Sequence, residues 1–201
     1  MDRVTWWAVL SAVCAPLVLI GGSTTAASLQ GAAYNPVRQT ISVLASDGDT
    51  GYWALSTTLI ALGLCHMTTA CGLRAAAPAG RLALGAGGVA AIVLVLFPAP
   101  KSGGSFAHGS VVAVGFSLLA LWPVLACARA PGAPLGTTTP WGLRTAPSLT
   151  ASALMVAGAA WFLVELQLRG AAGIAERVLT AGQALWPVVV VISCLLAPRS
   201  A

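Results

Sequence analysis

The sequence predicts an all-α fold, a polytopic membrane helix bundle with six transmembrane helices that form one domain over residues 1–201. Two observations lead to this prediction. Only 7% of the residues are charged and 58% are hydrophobic, with a mean hydropathy of +0.89, whereas soluble domains carry about 25% charged residues. The hydrophobic residues also form long runs, each close to the roughly 17 to 25 residues that cross a bilayer core. Because so few charges cannot cover a water-exposed surface, we expect the lipid bilayer to surround the chain.

Six hydrophobic runs, separated by glycine, proline and charged residues, predict the helices in chain order. They are Thr5 to Thr25, Tyr52 to Leu73, Leu82 to Phe97, Phe106 to Arg129, Pro147 to Leu168 and Arg177 to Ala197. The first run follows Arg3 and could be read as a signal peptide. Its length, and the absence of a soluble domain after it, favour a retained transmembrane helix.

The basic residues of the short loops predict that both termini are cytoplasmic (N-in/C-in), because positively charged loops stay on that side. Six arginines would then be cytoplasmic and four basic residues would lie outside. The first set is Arg3, Arg74, Arg81, Arg129, Arg144 and Arg199, and the second is Arg38, Lys101, Arg169 and Arg177. The connector from Ala128 to Ala146, rich in proline and glycine, carries two of these arginines and no acid, which also indicates an inner loop.

Composition and motifs argue against several classes of function. The ten lysines and arginines are scattered singly, so we expect no nucleic-acid partner. The five cysteines fall inside predicted helices without a CxxC pair or a histidine at ligand spacing, so we expect inert thiols and no metal. The GxxxxGK[ST], GxSxG and HExxH motifs do not occur. Two histidines at opposite membrane depths do not predict a haem site either, and we expect no cofactor.

The first outer loop combines a short helix with an acidic turn. Asn35-Pro36, followed by apolar residues at Val37, Ile41 and Leu44, predicts a helix that lies in the interface or dips into the bundle as a lid. The turn-rich stretch from Ser46 to Gly51 comes next. Every acidic residue of the chain except the one in the amino-terminal dipeptide lies at this predicted outer end. A chemically active site would therefore open toward the outer leaflet.

Four ionisable residues at this end are the candidate catalytic residues: Asp47, Asp49, His108 and Glu165. Glu165 lies inside an apolar helix, where an ionisable group is costly and by default faces the bundle interior. Arg169, four residues on, offers the alternative of a structural salt bridge along one helix face. The two aspartates could equally cap turns, and His108 could bond to a neighbouring carbonyl.

The candidate substrate-binding residues are basic or aromatic. They are Tyr34, Arg38, Trp53, Trp122, Trp161 and Trp186. Trp53 also fits an interfacial aromatic belt. The other three tryptophans lie deeper in the predicted helices, where a ring face could line a ligand pocket or stabilise a cation.

Several segments resemble one protein family when they are taken together. Tyr34 to Leu44 and Gly51-Tyr52-Trp53 resemble the first outer loop of the domain of unknown function 998 (DUF998) family, and Leu96-Phe97-Pro98, His108-Gly109 and Gly173 to Arg177 follow in the family's order. The resemblance implies a multi-helix protein of the bacterial inner membrane with these polar residues on its outer side. It implies no activity. The acid-rich segment Asp47-Gly48-Asp49-Thr50 departs from the family's pattern.

These residues favour a lipid or isoprenoid ligand at the outer ends of the helices. The most concrete hypothesis is a protonation-initiated terpenoid cyclase, in which Asp49 or Glu165 protonates an alkene or epoxide while Asp47 and His108 tune the acid. Aromatic faces would stabilise the carbocation, and Asp47-Gly48-Asp49-Thr50 resembles the Asp-x-Asp-Thr motif of such cyclases. One alternative is a small proton-coupled transporter that uses Glu165 and His108 as a relay. Another is a non-catalytic structural or regulatory membrane subunit, whose small residues permit close helix packing.

Overall fold

The computed structural model describes residues 3–46, 48–100, 103–127 and 139–198, and within these ranges the chain forms six long helices and no strand. The helices are α1 Trp6–Gln30, α2 Tyr52–Gly72, α3 Pro78–Val93, α4 Phe106–Leu125, α5 Thr145–Leu168 and α6 Ala172–Leu196. Each of the six is long and apolar enough to cross a membrane. The predicted all-α fold with six transmembrane helices is therefore confirmed.

Helix α1 continues past its predicted end at Thr25, because its hydroxyl groups bond within the helix. Thr25 Oγ1 donates to the Gly21 carbonyl at 2.9 Å, and Ser28 Oγ donates to the Thr25 carbonyl at 2.7 Å. Such bonds satisfy polar side chains inside an apolar helix. The helix ends at Gly31, whose φ of 62° lies in the left-handed region that glycine adopts without a steric cost.

The predicted start of the sixth helix at Arg177 is wrong by five residues, because α6 begins at Ala172. The amino-terminal end of α6 is capped from the preceding helix, where the Glu165 carboxylate accepts the Ala171 N–H at 2.6 Å. A negative charge at this end of a helix is favourable. As a result, Glu176 and Arg177 lie in the second turn of a helix and not in the connector before it.

Four other predicted boundaries also shift. Helix α3 begins at Pro78 and not at Leu82, because proline is well accommodated in the first turn of a helix. It ends at Val93 and is followed by the 3-10 turn Leu94–Leu96. Helix α4 ends at Leu125, four residues before the predicted end, and helix α5 begins two residues before its predicted start.

The short helix predicted to start at Asn35 lies farther along the chain, at Ile41–Ala45, and is a 3-10 helix. The Asn35 side chain forms a turn instead, because its Oδ1 accepts the N–H groups of Val37 and Arg38 at 3.0 and 3.3 Å. Ile41–Ala45 packs into the bundle, and Leu44 is fully buried; a role as a lid stays a prediction. This helix packs against α1, α2 and α6.

The six helices form a closed ring. Each helix packs against its neighbour in the chain, and α1 closes the ring by packing against α6. Glycines allow close approach, since a Cβ atom built at Gly63 would lie 2.4 Å from the Gly88 carbonyl oxygen. Helices α4 and α5 make the fewest contacts of any neighbouring pair. The ring is therefore loosest between these two helices.

The two ends of the ring differ in what they carry. One end, called the terminal end here, holds the first and last described residues together, since Arg3 Nη1 donates to the Ala197 carbonyl at 3.0 Å. The opposite end, called the loop end, holds the connections α1–α2, α3–α4 and α5–α6. The largest group of buried apolar side chains lies toward the terminal end around Trp122, which is fully buried. The N-in/C-in orientation, which would make the loop end the outer one, stays a prediction.

Candidate functional site

Two adjacent spaces lie within the bundle toward the loop end. The larger, called the groove, has a volume of about 860 Å³ and runs between α4 and α5. The smaller, called the interior cavity, has a volume of about 80 Å³ and lies within the ring. Six residues line both spaces, and these are Ser42, Ala99, His108, Val112, Phe116 and Glu176. The two spaces therefore meet beside a carboxyl group and an imidazole.

Glu176 is the acidic residue that the fold buries at this junction, with 4% of its surface exposed. Its Oε2 accepts the backbone N–H of Ile41, and its Oε1 accepts the Ser42 hydroxyl at 3.3 Å. A buried carboxylate is stable only when such donors replace its lost hydration. The carboxyl group of α6 thus holds the short helix of the first loop against the bundle.

Arg177, the next residue, fastens the preceding part of the same loop. Its guanidinium donates to the Pro36 carbonyl at 3.0 Å and to the Gln39 carbonyl at 3.4 Å, and it also donates to the Tyr34 hydroxyl. The guanidinium lies 5.7 Å from the centre of the Tyr34 ring, within the range of a cation–π contact. Burial raises the pKa of Tyr34, and the bond from Arg177 offsets part of that increase.

A glycine permits this attachment. A Cβ atom built at Gly173 would lie 2.3 Å from the Gln39 carbonyl oxygen and 2.5 Å from that of Pro36. The backbone N–H of Ile174 also donates to the Val37 carbonyl at 3.2 Å. The loop backbone therefore lies directly on the first turn of α6, at a distance that only glycine allows.

His108 is the second ionisable residue of the junction, and the fold fixes both its backbone and its ring. Ser105 caps α4 by accepting the His108 N–H at 3.3 Å. The His108 Nδ1 lies 2.7 Å from the Phe97 carbonyl oxygen. With its Nδ1 bonded in this way, the ring has its Nε2 left to face a ligand.

The segments that carry the family resemblance meet in space at this junction. The first-loop segment 34–44 is bonded to segment 173–177 through Glu176 and Arg177. Segment 96–98 is bonded to His108 through the Phe97 carbonyl. Sequence spacing does not indicate these pairings, because the partners are separated by up to 143 residues.

The predicted catalytic residues other than His108 lie away from the two spaces or outside the described residues. Asp47 lies outside the described residues. Asp49 is in the turn before α2, where its carbonyl accepts the Tyr52 N–H at 3.1 Å, and it does not line either space. Glu165 accepts the Trp161 Nε1–H at 3.1 Å and caps α6. Arg169 is not among the partners of Glu165 in the described chain, and it lines the groove.

The predicted binding residues divide in a similar way. Arg38 lines the groove, and Tyr34 supports the loop beneath it. None of the four candidate tryptophans is among the described residues that line the groove or the interior cavity. Trp53 is 76% exposed on the outside of the ring, Trp122 is fully buried, and Trp186 packs 6.1 Å from Trp141. The aromatic ring that does line both spaces is Phe116.

Two further polar residues of the interior cavity were not predicted. His66 and Gln183 are 1% and 2% exposed, and both line the cavity. A signal was present in the sequence, since Glu176, Thr180 and Gln183 follow the spacing i, i+4, i+7 of one helix face. This spacing indicates a shared helix face only if Glu176 belongs to α6, and the helix predicted from the sequence begins one residue later. Among the described residues, no group of three or more His, Cys, Asp and Glu could hold a metal ion.

Comparison with known protein families gives a match over most of the chain. The model of a family described as "Protein of unknown function (DUF998)" matches residues 12–193, which is most of the chain. No curated protein and no solved structure matches.

Proposed function

The chain belongs to the DUF998 family, whose description assigns no activity, and we propose that it binds the phosphate group and apolar chain of an anionic lipid in the groove. The family match confirms the resemblance predicted from the sequence. The six apolar helices agree with the multi-pass membrane protein that this resemblance implies. The observation that carries the proposal is the position of Arg38 and Arg169 at the loop end of a groove whose walls on α4 and α5 are mostly apolar.

The walls of the groove suit a hydrocarbon chain. They are Ala113, Phe116, Ser117, Ala120 and Leu121 of α4, and Val156, Ala159, Phe162, Leu163 and Leu166 of α5. From Phe106 at the start of α4 to Leu121 there are fifteen residues, or about 22 Å at 1.5 Å per residue. This length covers most of a bilayer core of roughly 30 Å. The volume of about 860 Å³ also lies within the usual range for ligand sites, roughly 300 to 1,000 Å³.

The loop end of the groove suits an anionic head group. Arg38 and Arg169 both line it, together with Gly103, Gly104 and Ser105 directly before α4. The N–H groups at the start of a helix favour a phosphate, and arginine binds phosphate oxygens through paired hydrogen bonds. Glu176 is the one acidic residue among the described lining residues, and its carboxylate is occupied by loop donors. The charge balance at this end is therefore positive.

The proposal places the ligand in the outer leaflet of the bacterial inner membrane. The loop end is the predicted outer end, and the four basic residues assigned to that side include both groove arginines. A phosphate on an acyl lipid and a phosphate on an isoprenoid share this chemistry, so the test must separate the two.

The experiment is native mass spectrometry of the purified protein with a phosphatidylglycerol, a polyprenyl phosphate and a phosphatidylcholine. We expect binding of one of the two anionic lipids at least 10-fold tighter than that of phosphatidylcholine. Loss of one charge-assisted contact costs about 1.5–3 kcal/mol, or roughly 10- to 150-fold in affinity. Arg38→Gln and Arg169→Gln should each weaken binding by this factor. Arg74→Gln, which removes an exposed charge at the terminal end, is the matched control.

Whichever anionic lipid binds more tightly shows whether the ligand carries acyl chains or an isoprenoid chain. The variant Ala159→Phe tests the groove walls. The larger side chain should displace the apolar chain and weaken binding without changing the charge. Equal binding of all three lipids, or equal loss in Arg74→Gln and the groove variants, would contradict the proposal.

A second candidate function is acid-catalysed cyclisation of an isoprenoid, favoured by the position of Glu176 and His108 where the groove meets the interior cavity. The Glu176 carboxyl group would transfer its proton to a terminal alkene, and the cation would close a ring onto the next double bond. Loss of one proton to the Glu176 carboxylate or to water would then give a neutral isomer of the substrate. Asp49 and Glu165, the acids predicted from the sequence, are the alternatives that the test has to separate from Glu176.

Turnover of a polyprenyl substrate by three variants tests this second candidate. Glu176→Gln should abolish product formation, whereas Asp49→Asn and Glu165→Gln should retain it, because only Glu176 lies on the two spaces. Glutamine keeps an oxygen that can accept the loop N–H, so the loop should remain attached. Full turnover by Glu176→Gln would exclude Glu176 as the acid.

A further inference from the structure

The interior cavity has the size of a water site and not of a lipid site. Its volume is about 80 Å³, whereas ligand pockets hold roughly 300 to 1,000 Å³. A water molecule occupies about 30 Å³ in the liquid. The cavity therefore accommodates two or three water molecules, provided that its walls offer them hydrogen-bonding partners.

Polar side chains line the cavity along one face of α6. Glu176, Thr180 and Gln183 all line it at the spacing i, i+4, i+7. At 1.5 Å per residue they lie about 6, 12 and 16 Å from the start of α6 at Ala172. The Gln183 amide is held in place by the bond that Nε2 donates to the Phe116 carbonyl at 3.1 Å. Polar groups therefore continue from the junction with the groove far into the bundle.

His66 provides the decisive observation at the deep end of the cavity. It lies fourteen residues after Tyr52, or about 21 Å along α2, and its side chain is 1% exposed. Its Nδ1 has no hydrogen-bond partner among the described residues, although the residue lines the cavity. Buried side-chain nitrogens in folded proteins almost always have a partner, which can be an ordered water.

A polar pair continues the line beyond His66. Thr69, one turn farther toward the terminal end of α2, is fully buried. Its hydroxyl lies 2.8 Å from the hydroxyl of Ser11 on α1. Buried polar groups within membrane helices generally mark paths for ions or protons.

We propose that the interior cavity is a water-filled proton path, along which protons from the loop end reach His66. Protons enter beside Glu176 and His108, which are the other titratable residues on the described wall. Helices α1 and α3 contribute no titratable group to that wall, only Leu19 and small apolar residues of α3. The path opens beside Glu176 and His108, where the interior cavity adjoins the groove, and it adds a proton-carrying activity to the proposed binding function.

The test is solid-state NMR of protein labelled with ¹⁵N-histidine in lipid nanodiscs. The chain has two histidines, so a His108→Gln variant assigns both signals. We expect magnetisation from water to reach the His66 ring nitrogens, and the His66 ring N–H to exchange in D₂O within minutes. Thr180→Leu places an apolar side chain between Glu176 and His66 and should slow this exchange at least 10-fold. Thr57→Leu, at an exposed position of α2, should not change it.

The outcomes separate a wet path from a dry core. If the His66 ring N–H in the unmodified protein persists for hours in D₂O and receives no magnetisation from water, the path does not exist. If exchange is fast but equally fast in Thr180→Leu, protons do not pass through this cavity and the proposal is overturned. Should Thr180→Leu fail to fold, Ala184→Val fills the same wall and takes its place.

Discussion

Replacing Gly173 by alanine tests whether the first loop is held on α6 as described. The added Cβ atom would lie 2.3 Å from the Gln39 carbonyl oxygen and 2.5 Å from the Pro36 carbonyl oxygen. Both contacts are to backbone, so no side-chain rotation relieves them. An ordinary contact of about 3.4 Å requires the loop to move by about 1 Å.

The energetic consequence follows from the bonds that such a movement breaks. A shift of about 1 Å would lengthen the bond from Ile174 N–H to the Val37 carbonyl, now 3.2 Å, beyond hydrogen-bonding distance. It would also disrupt the charge-assisted bond from Arg177 to the Pro36 carbonyl, now 3.0 Å. A neutral bond contributes about 1 kcal/mol and a charge-assisted bond about 2 kcal/mol. Alanine recovers a small part of this through its higher helix propensity. The expected decrease in the free energy of unfolding is therefore about 2–3 kcal/mol.

The assay is thermal unfolding in detergent, with Gly182→Ala as the matched control on the same helix. A Cβ atom at Gly182 would meet nothing within 4 Å, and alanine inside a helix is favoured by up to about 1 kcal/mol. At roughly 2–4 °C per kcal/mol for a protein of this size, Gly173→Ala should lower the melting temperature by about 4–12 °C. Gly182→Ala should leave it unchanged or raise it. Equal melting temperatures of the two variants would refute the close contact between loop and helix.

Two more predictions concern stability. Burial raises the pKa of Tyr34 above its usual value of 10.0, so its stabilising contribution is complete below pH 10 and is lost as the pH rises above it. Tyr34→Phe should lower the free energy of unfolding by about 1 kcal/mol near neutral pH. Between pH 9 and 11 this variant should lose less stability than the unmodified protein. Parallel profiles of stability against pH for the two proteins would contradict this. Gly63→Ala places a Cβ atom 2.4 Å from the Gly88 carbonyl oxygen and should destabilise by about 1–3 kcal/mol. Gly85→Ala, with its nearest contact at 3.6 Å, should be neutral, and denaturation curves for the two variants provide the comparison.

The sequence alone determined the fold class and the approximate position of all six helices. The reason is that crossing a bilayer requires long apolar runs, which are visible in composition without any tertiary information. It also predicted that the acidic residues after the amino-terminal dipeptide gather at the end of the bundle opposite the termini. Local chemistry was readable in part, since His108 was identified as a candidate and does line both spaces.

Helix ends were less predictable, because they depend on partners elsewhere in the chain. The start of α6 is fixed by a carboxylate of α5 at Glu165, and no local pattern near Ala172 indicates this cap. The consequence for the site was large. With Arg177 as the predicted first residue of the helix, Glu176 falls just before that helix and is not among the predicted catalytic residues.

Only the tertiary structure decided which acidic residue is enclosed and which space a ligand could occupy. Glu165 and Glu176 are both carboxylates near the same helix junction, but the first caps a helix and the second is covered by the first loop. That covering depends on hydrogen bonds between the first loop and the Glu176 side chain across more than 130 residues, which sequence spacing does not encode. The groove likewise arises from the loose packing of α4 against α5. Apolar composition specifies that these helices lie in lipid, but the shapes of their facing side chains determine how closely they pack.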